Sequence, residues 1–309
     1  MKQPMLLNVL IAVVLGYAVL VGLVFVTQGR LVYYPQIGRE LAITPQTYGL
    51  AHESLQITTE DGERLHAWWV PAAGARGTVL LFHGNAGNMS ARLDYLLMFH
   101  RLNYSTLIID YRGYGQSTGS PSEAGTYRDA EAAWRWLTAT RAIRADDIVL
   151  FGESLGGAVA SWLAARLSLI PDPSPEWRRE VPAASPPLGE RSGLTVAPRA
   201  LVLASTFTSV TDLGAEVYPF LPVRLISRFG YDNRANLKSI RIPVLIVHSR
   251  QDDVISFAHG QRLFEAANEP KQFLELAGGH NDGFIFMRDE WVRALARFLD
   301  QHAPQRSAQ

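Results

Sequence analysis

Gly152-Glu153-Ser154-Leu155-Gly156 sets a serine between two glycines, after the apolar run Ile148-Val149-Leu150-Phe151 and before a small-residue segment through Gly157, Ala158, Ala160, Ser161, Ala164 and Ala165. A serine hydroxyl becomes a useful nucleophile when a tight strand-to-helix turn lifts it clear of the backbone and an imidazole takes its proton. The glycines remove the Cβ atoms that such a turn would drive into neighbouring backbone. The N–H groups of the following helix then face whatever reacts with the serine. A bare G-x-S-x-G motif arises often by chance; with a strand before it and a helix after it, the motif marks Ser154 as the candidate nucleophile.

The base and the acid that orients it are expected to follow in the chain order serine, acid, histidine, each just past a later strand. Pro243-Val244-Leu245-Ile246-Val247-His248 reads as one such strand, and the loop after it, Ser249 to Ser256, supplies Asp252. Gln272 to Leu276 reads as the next, followed by Ala277-Gly278-Gly279-His280, which supplies His280 as base. Upstream, the strand Thr78 to Phe82 ends in His83-Gly84-Asn85-Ala86-Gly87-Asn88, whose small residues allow backbone N–H groups to converge on a developing oxyanion. The donors assigned are the backbone N–H groups of Asn85 and Leu155.

Other titratable residues read as scaffold. His83 belongs to the oxyanion turn, His248 ends a strand, His259 falls within a helical segment, and His52, His66, His100 and His302 adjoin no catalytic pattern. Asp110 and Arg112 are expected to form a turn-stabilising ion pair, and Asp282 to serve a local turn. The chain lacks a G-x-x-x-x-G-K-[ST] phosphate loop, an H-E-x-x-H zinc motif and a G-x-G-x-x-G turn. It also has no cysteine, which excludes disulfides, thiolate catalysis and Cys-ligated zinc. No cofactor and no metal are expected.

These side chains need elements to position them. A hairpin over Glu53–Thr58 and Arg64–Val70, turning at Asp61-Gly62, precedes strands that alternate with helices around Ala91–Arg101 and Glu123–Thr138. That order implies an α/β fold with a mostly parallel central sheet covered by helices on both faces. The 309 residues, 48% hydrophobic, are enough for one large core, and 29 basic against 29 acidic side chains give no electrostatic case for nucleic acid. Residues 171–198 carry seven prolines and read as an insertion leaving the far pole of the sheet. The segment 206–240 follows a strand that returns to the active edge and reads as a small cap, with Phe207, Tyr218 and Phe220 as candidate pocket residues.

Between Lys2 and Arg30 there is no charged side chain, and residues 5–27 are apolar enough to cross a bilayer core as one helix. The run is longer than a signal-peptide core and lacks a small-x-small cleavage site, so it reads as a retained single-pass anchor, with 28–50 as linker and 51–302 as the catalytic domain. The few flanking cations lean toward an extracytoplasmic catalytic domain. A protein cut to begin near Leu31 is expected to be soluble and active.

Phe82 to Asn88, Asp110-Tyr111-Arg112-Gly113-Tyr114-Gly115-Gln116-Ser117, Gly152 to Gly157 and Gly279-His280-Asn281-Asp282 together resemble the α/β-hydrolases. The branch is the membrane-anchored one that includes the yeast bud-emergence-suppressor-like proteins and, more distantly, the animal depalmitoylases. The resemblance runs from about Leu31 to the C-terminal helix. In that family the acid lies in a D-x-x-V-P pattern, which Asp252 with Ile255 and Ser256 matches in spacing and Asp253 does not; Ser256 stands where the family has proline. The resemblance implies an α/β-hydrolase fold and a membrane-anchored serine hydrolase that cleaves acyl esters or thioesters through an acyl-enzyme. Its implied partners are a small or lipid-like acyl substrate, including an acylated protein, and the membrane. A peptidase or amidase on the same three residues, and a non-catalytic membrane scaffold keeping the turn as architecture, are the other readings.

Overall fold

The computed structural model describes residues 3–36, 43–169, 197–281 and 288–303. Most of the proline-rich stretch and Asp282 therefore lie outside the described residues.

The chain opens with the apolar helix α1 (Gln3–Thr27) and the single turn α2 (Gly29–Val32). The hairpin β1 (Glu53–Thr58) and β2 (Arg64–Val70) follows, then β3 (Thr78–Phe82), α3 (Leu93–Arg101), β4 (Ser105–Ile109) and α4 (Glu123–Arg135). Next come β5 (Ile148–Glu153), α5 (Leu155–Ser168) and β6 (Ala200–Ala204). The cap carries three short helices, α6 (Val210–Val217), α7 (Val223–Ile226) and α8 (Asn233–Leu237). The chain closes with β7 (Val244–Ser249), α9 (Phe257–Ala266), β8 (Lys271–Leu276) and α10 (Asp289–Gln301).

The strands form one eight-stranded sheet in the order β1-β2-β4-β3-β5-β6-β7-β8. β2 is antiparallel to β1 and to β4, and the remaining pairs are parallel. Central strands buried on both faces need unbroken apolar runs, and their alternation sorts the side chains. Leu80, Phe82, Leu150, Leu201 and Leu203 pack with α4 and α5 on one face. Val79, Leu81, Val149, Phe151 and Val202 pack with α3 and α10 on the other. This is the two-faced α/β arrangement the sequence implies.

Two expectations differ. Arg112 does not pair with Asp110: its guanidinium reaches Asp61 (2.7 Å) and Asp129 (2.8 Å), tying β4's end to the hairpin turn and to α4. Asp110 instead accepts the Met89 N–H (2.7 Å) and so braces the turn after β3. The segment after α1 is also more than a linker. Its Tyr33 is buried, bonding hydroxyl to hydroxyl with Tyr231 at 2.9 Å, and Tyr34 donates its N–H to the Asn85 carbonyl at 3.1 Å.

The turn between β5 and α5 shows why glycines flank the serine. A Cβ on Gly152 would collide with the backbone of Gly156, and one on Gly156 with the Phe82 carbonyl. Gly156→Ala should therefore destabilise the fold by about 3 kcal/mol or more, since backbone rather than a movable side chain would have to give. Urea unfolding followed by circular dichroism measures this, and a loss below about 1 kcal/mol would refute the steric account.

Candidate active site

Four loops at the carboxyl ends of parallel strands bring the candidate residues to one edge of the sheet: Asn85 after β3, Ser154 after β5, Asp252 after β7 and His280 after β8. Crossovers in a parallel sheet return each strand in the same direction, so residues distant in sequence meet there.

Ser154 holds φ 53 and ψ −118, outside the regions a side-chain-bearing residue ordinarily adopts. Such strain persists where the surroundings over-determine it. Here the Ser154 N–H donates to the Ala204 carbonyl (2.9 Å), and its own carbonyl accepts from Gly157 N–H (3.0 Å) and the Thr206 hydroxyl (2.7 Å). Asn233 fixes Thr206 in turn, donating to its Oγ1 (3.1 Å) and to the Phe207 carbonyl (2.7 Å). The cap root and the turn are thus one hydrogen-bonded unit.

The Ser154 Oγ lies 3.2 Å from His280 Nε2, and His280 Nδ1 lies 2.8 Å and 3.1 Å from the two Asp252 oxygens. Burial alone would raise the Asp252 carboxyl. The His280 hydrogen bond and charge, with the N–H groups of Ile255 and Val254, outweigh it and hold the group below its ordinary value. An ionised Asp252 keeps the proton on Nδ1, which leaves Nε2 to accept from the serine. Asp253 does not face the imidazole: its Oδ1 accepts the His280 backbone N–H at 2.9 Å.

His248 supports the acid from behind. Its Nε2 donates to the Ile255 carbonyl (2.9 Å) and lies 3.6 Å from Asp252, while burial pushes its pKa down and keeps it neutral. His83 bonds the Gly84 carbonyl through Nδ1 (2.7 Å) and packs on Tyr111. His259 accepts the Thr208 N–H (3.0 Å) at the cap root. All three sit as scaffold.

Asn85 is held from three sides. Its carbonyl accepts from Tyr34 N–H (3.1 Å) and the Tyr114 hydroxyl (2.9 Å), and its Nδ2 donates to the Val32 carbonyl (3.1 Å). These bonds fix the Asn85 backbone in the turn after β3, beside the cavity that Ser154 also lines. Leu155 is the first residue of α5, where N–H groups have no acceptor inside the helix.

Above these residues is a cavity of about 460 Å³. Ser154, His280 and the Arg92–Glu153 ion pair (2.9 Å) line its polar end, and Leu213, Val217, Leu221 and Ile226 of the cap its apolar part. Phe207 and Tyr218 line it as well. Phe220 does not: its side chain is 63% exposed and lies outside the cavity lining, while its carbonyl accepts from the Tyr17 hydroxyl at 2.8 Å.

Sequence reasoning missed a whole wall of this cavity. Val24 of α1, Gln28 just after it, and Leu31 and Val32 of α2 line it too. Gln28 is clamped to the cap, donating to the Ile226 carbonyl (3.1 Å) and accepting the Arg228 N–H (2.7 Å). The available signal was Gln28 itself, a lone long polar side chain at the end of an apolar run. A chain beginning at Leu31 loses Val24 and Gln28, and with them part of this wall.

Residues 79–297 match the alpha/beta hydrolase family. Among relatives, protein bem46 of Schizosaccharomyces pombe is 32% identical, over 91% of this chain and 88% of its own. The alpha/beta hydrolase domain-containing protein WAV2 of Arabidopsis thaliana is 31% identical, over 95% and 93%. Among solved structures, the Pyrococcus furiosus esterase Pf2001 superposes with a TM-score of 0.64 at 20% identity, covering 87% of this chain and 95% of that one, and so shares the fold.

Proposed function

Because the chain belongs to the alpha/beta hydrolase family, in its bem46-like branch, and is thus a hydrolase, we propose that it is a membrane-anchored serine hydrolase cleaving acyl esters or thioesters. The observation that carries this reading is the continuous hydrogen-bonded relay from Ser154 through His280 to Asp252 at the polar end of an apolar cavity.

His280 Nε2 takes the Ser154 proton as Oγ bonds to the acyl carbon, and the oxygen of the tetrahedral adduct accepts from the N–H groups of Asn85 and Leu155. His280 then returns the proton to the departing alcohol or thiol as the carbon–oxygen or carbon–sulfur bond breaks. Water, deprotonated by the same nitrogen, attacks the acyl-serine and releases the acid. No metal or cofactor enters these steps, and the acyl chain occupies the cavity between cap and α1.

The anchor reading is supported by α1 itself. Its stretch Met5–Thr27 is long and apolar enough to cross a membrane and is not buried in the protein. A helix apolar on every side and left uncovered suits lipid rather than water. Its bonds to the cap through Tyr17 and Gln28 favour retention over cleavage.

Full-length protein should hydrolyse p-nitrophenyl esters with kcat/KM rising as the acyl chain lengthens, because each buried methylene contributes about 0.8 kcal/mol. Leu213→Trp, which narrows the cavity, should shift the preferred chain shorter. A profile indifferent to chain length in both proteins would detach the cavity from acyl binding, and no turnover of any ester would end the esterase reading.

A further inference from the structure

The cap meets α1 far from the helix end. Tyr17 bonds the Phe220 carbonyl, whereas Gln28 bonds Ile226 and Arg228 stacks over Phe25 at 5.5 Å. From Tyr17 to Thr27 an α-helix rises ~15 Å at ~1.5 Å per residue. Crossing a hydrocarbon core of ~30 Å needs ~20 residues, which is nearly all of Met5–Thr27. The stretch from Met5 to Tyr17 alone, ~18 Å, is too short. If α1 spans, the cap around Phe220 lies well below the membrane surface, at the level of the lipid tails.

The chemistry of that edge agrees. Three of its large side chains are apolar and uncovered, Phe220 at 63%, Leu225 at 86% and Val217 at 49% exposed, and its exposed charges are paired, Arg224 with Asp212 and Glu216 with His259. A backbone in hydrocarbon must satisfy its own polar groups. Tyr218 N–H bonds Gly214, Leu221 bonds Tyr218, Val223 bonds Leu221, and Leu225 and Ile226 both bond Pro222. Pro219 and Pro222 have no N–H to satisfy, and the outward Phe220 carbonyl is the one Tyr17 caps. Arg228 lies at the helix end over Phe25, and Arg224, beside Leu225, is paired with Asp212 at 2.9 Å.

Building on the reading that α1 spans and Ser154 cleaves acyl esters, we propose that the cap edge carrying Phe220 and Leu225 is embedded in the bilayer beside α1. The cavity, walled by Val24 of α1 and by Val217 and Leu221 of the cap, then receives its acyl chain from the lipid phase. The substrate class is a membrane-resident amphiphile bearing a long acyl ester or thioester.

Because the chain has no cysteine, Val13→Cys, Leu225→Cys and Arg297→Cys each create a unique attachment point. Each full-length variant would carry a nitroxide label and be reconstituted into phosphatidylcholine vesicles, with collisions against oxygen and a nickel chelate read by electron paramagnetic resonance. Labels at Val13 and Leu225 should favour oxygen, and the label at Arg297, exposed on α10, should favour the chelate. Chelate access at Leu225 with Val13 shielded would overturn the embedded cap while leaving the anchor intact. Access at both would overturn the anchor and the embedded cap with it. In a second readout, Leu225→Asp should lower turnover of a vesicle-embedded long-chain ester by about tenfold or more, given the cost of a charge in lipid. On soluble p-nitrophenyl butyrate it should stay within about twofold. Equal effects on the two substrates would overturn the proposal, whereas failure of the unaltered protein on both would count against the esterase reading instead.

Discussion

Ser154→Ala is expected to lower kcat on an acyl ester by on the order of 10⁶, the loss seen when a serine acting as one unit with its base is removed. Oγ is the atom that Nε2 of His280 approaches at 3.2 Å, and alanine leaves the imidazole with nothing to activate but water. The fold should be untouched, because the hydrogen bonds holding this turn run through the Ser154 backbone to Ala204, Gly157 and Thr206. Ester turnover and thermal unfolding measured on the same sample separate loss of chemistry from loss of structure. Undiminished turnover would remove Ser154 from the mechanism.

Asp252→Asn should cost about 10⁴ in kcat, since an amide in place of the carboxylate stabilises the wrong imidazole tautomer and cannot compensate an imidazolium. Asp253→Asn should cost far less. Asp253 is solvent-exposed and accepts the His280 backbone N–H, so it shapes the loop without orienting the ring. The ranking is the sensitive quantity, and side-by-side kinetics on one ester give it. An equal or reversed ranking would mean that the carboxylate facing Nδ1 is not the one that matters.

Much of this was legible in the sequence because it depends on local order. Uninterrupted apolar runs mark strands buried on both faces, and a parallel sheet brings the loops after them to one edge, so strand ends point to the loops of Ser154, Asp252 and His280, while the G-x-S-x-G motif singles out the serine and the family spacing separates Asp252 from Asp253. The glycines were legible for the same reason, being imposed by backbone a few residues away and by the neighbouring strand. What stayed hidden depends on side-chain direction and on contacts between remote segments. Phe220 is aromatic like Phe207 and Tyr218, but its side chain lies on the exposed outer edge of the cap and not in the cavity lining. Arg112 stood two residues from Asp110, yet the end of β4 directs it to Asp61 and Asp129. The wall formed by Val24, Gln28, Leu31 and Val32 was least accessible, because an apolar run carries no mark of which residues face protein and which face lipid.

The central claim, an acyl-transfer site built on Ser154, is tested most directly by treating the full-length membrane-reconstituted protein with a fluorophosphonate and locating the adduct by peptide mass spectrometry. The account predicts one stoichiometric adduct on Ser154, absent from Ser154→Ala and formed far more slowly in His280→Ala. An unlabelled protein, or an adduct on another residue that persists in Ser154→Ala, would contradict it.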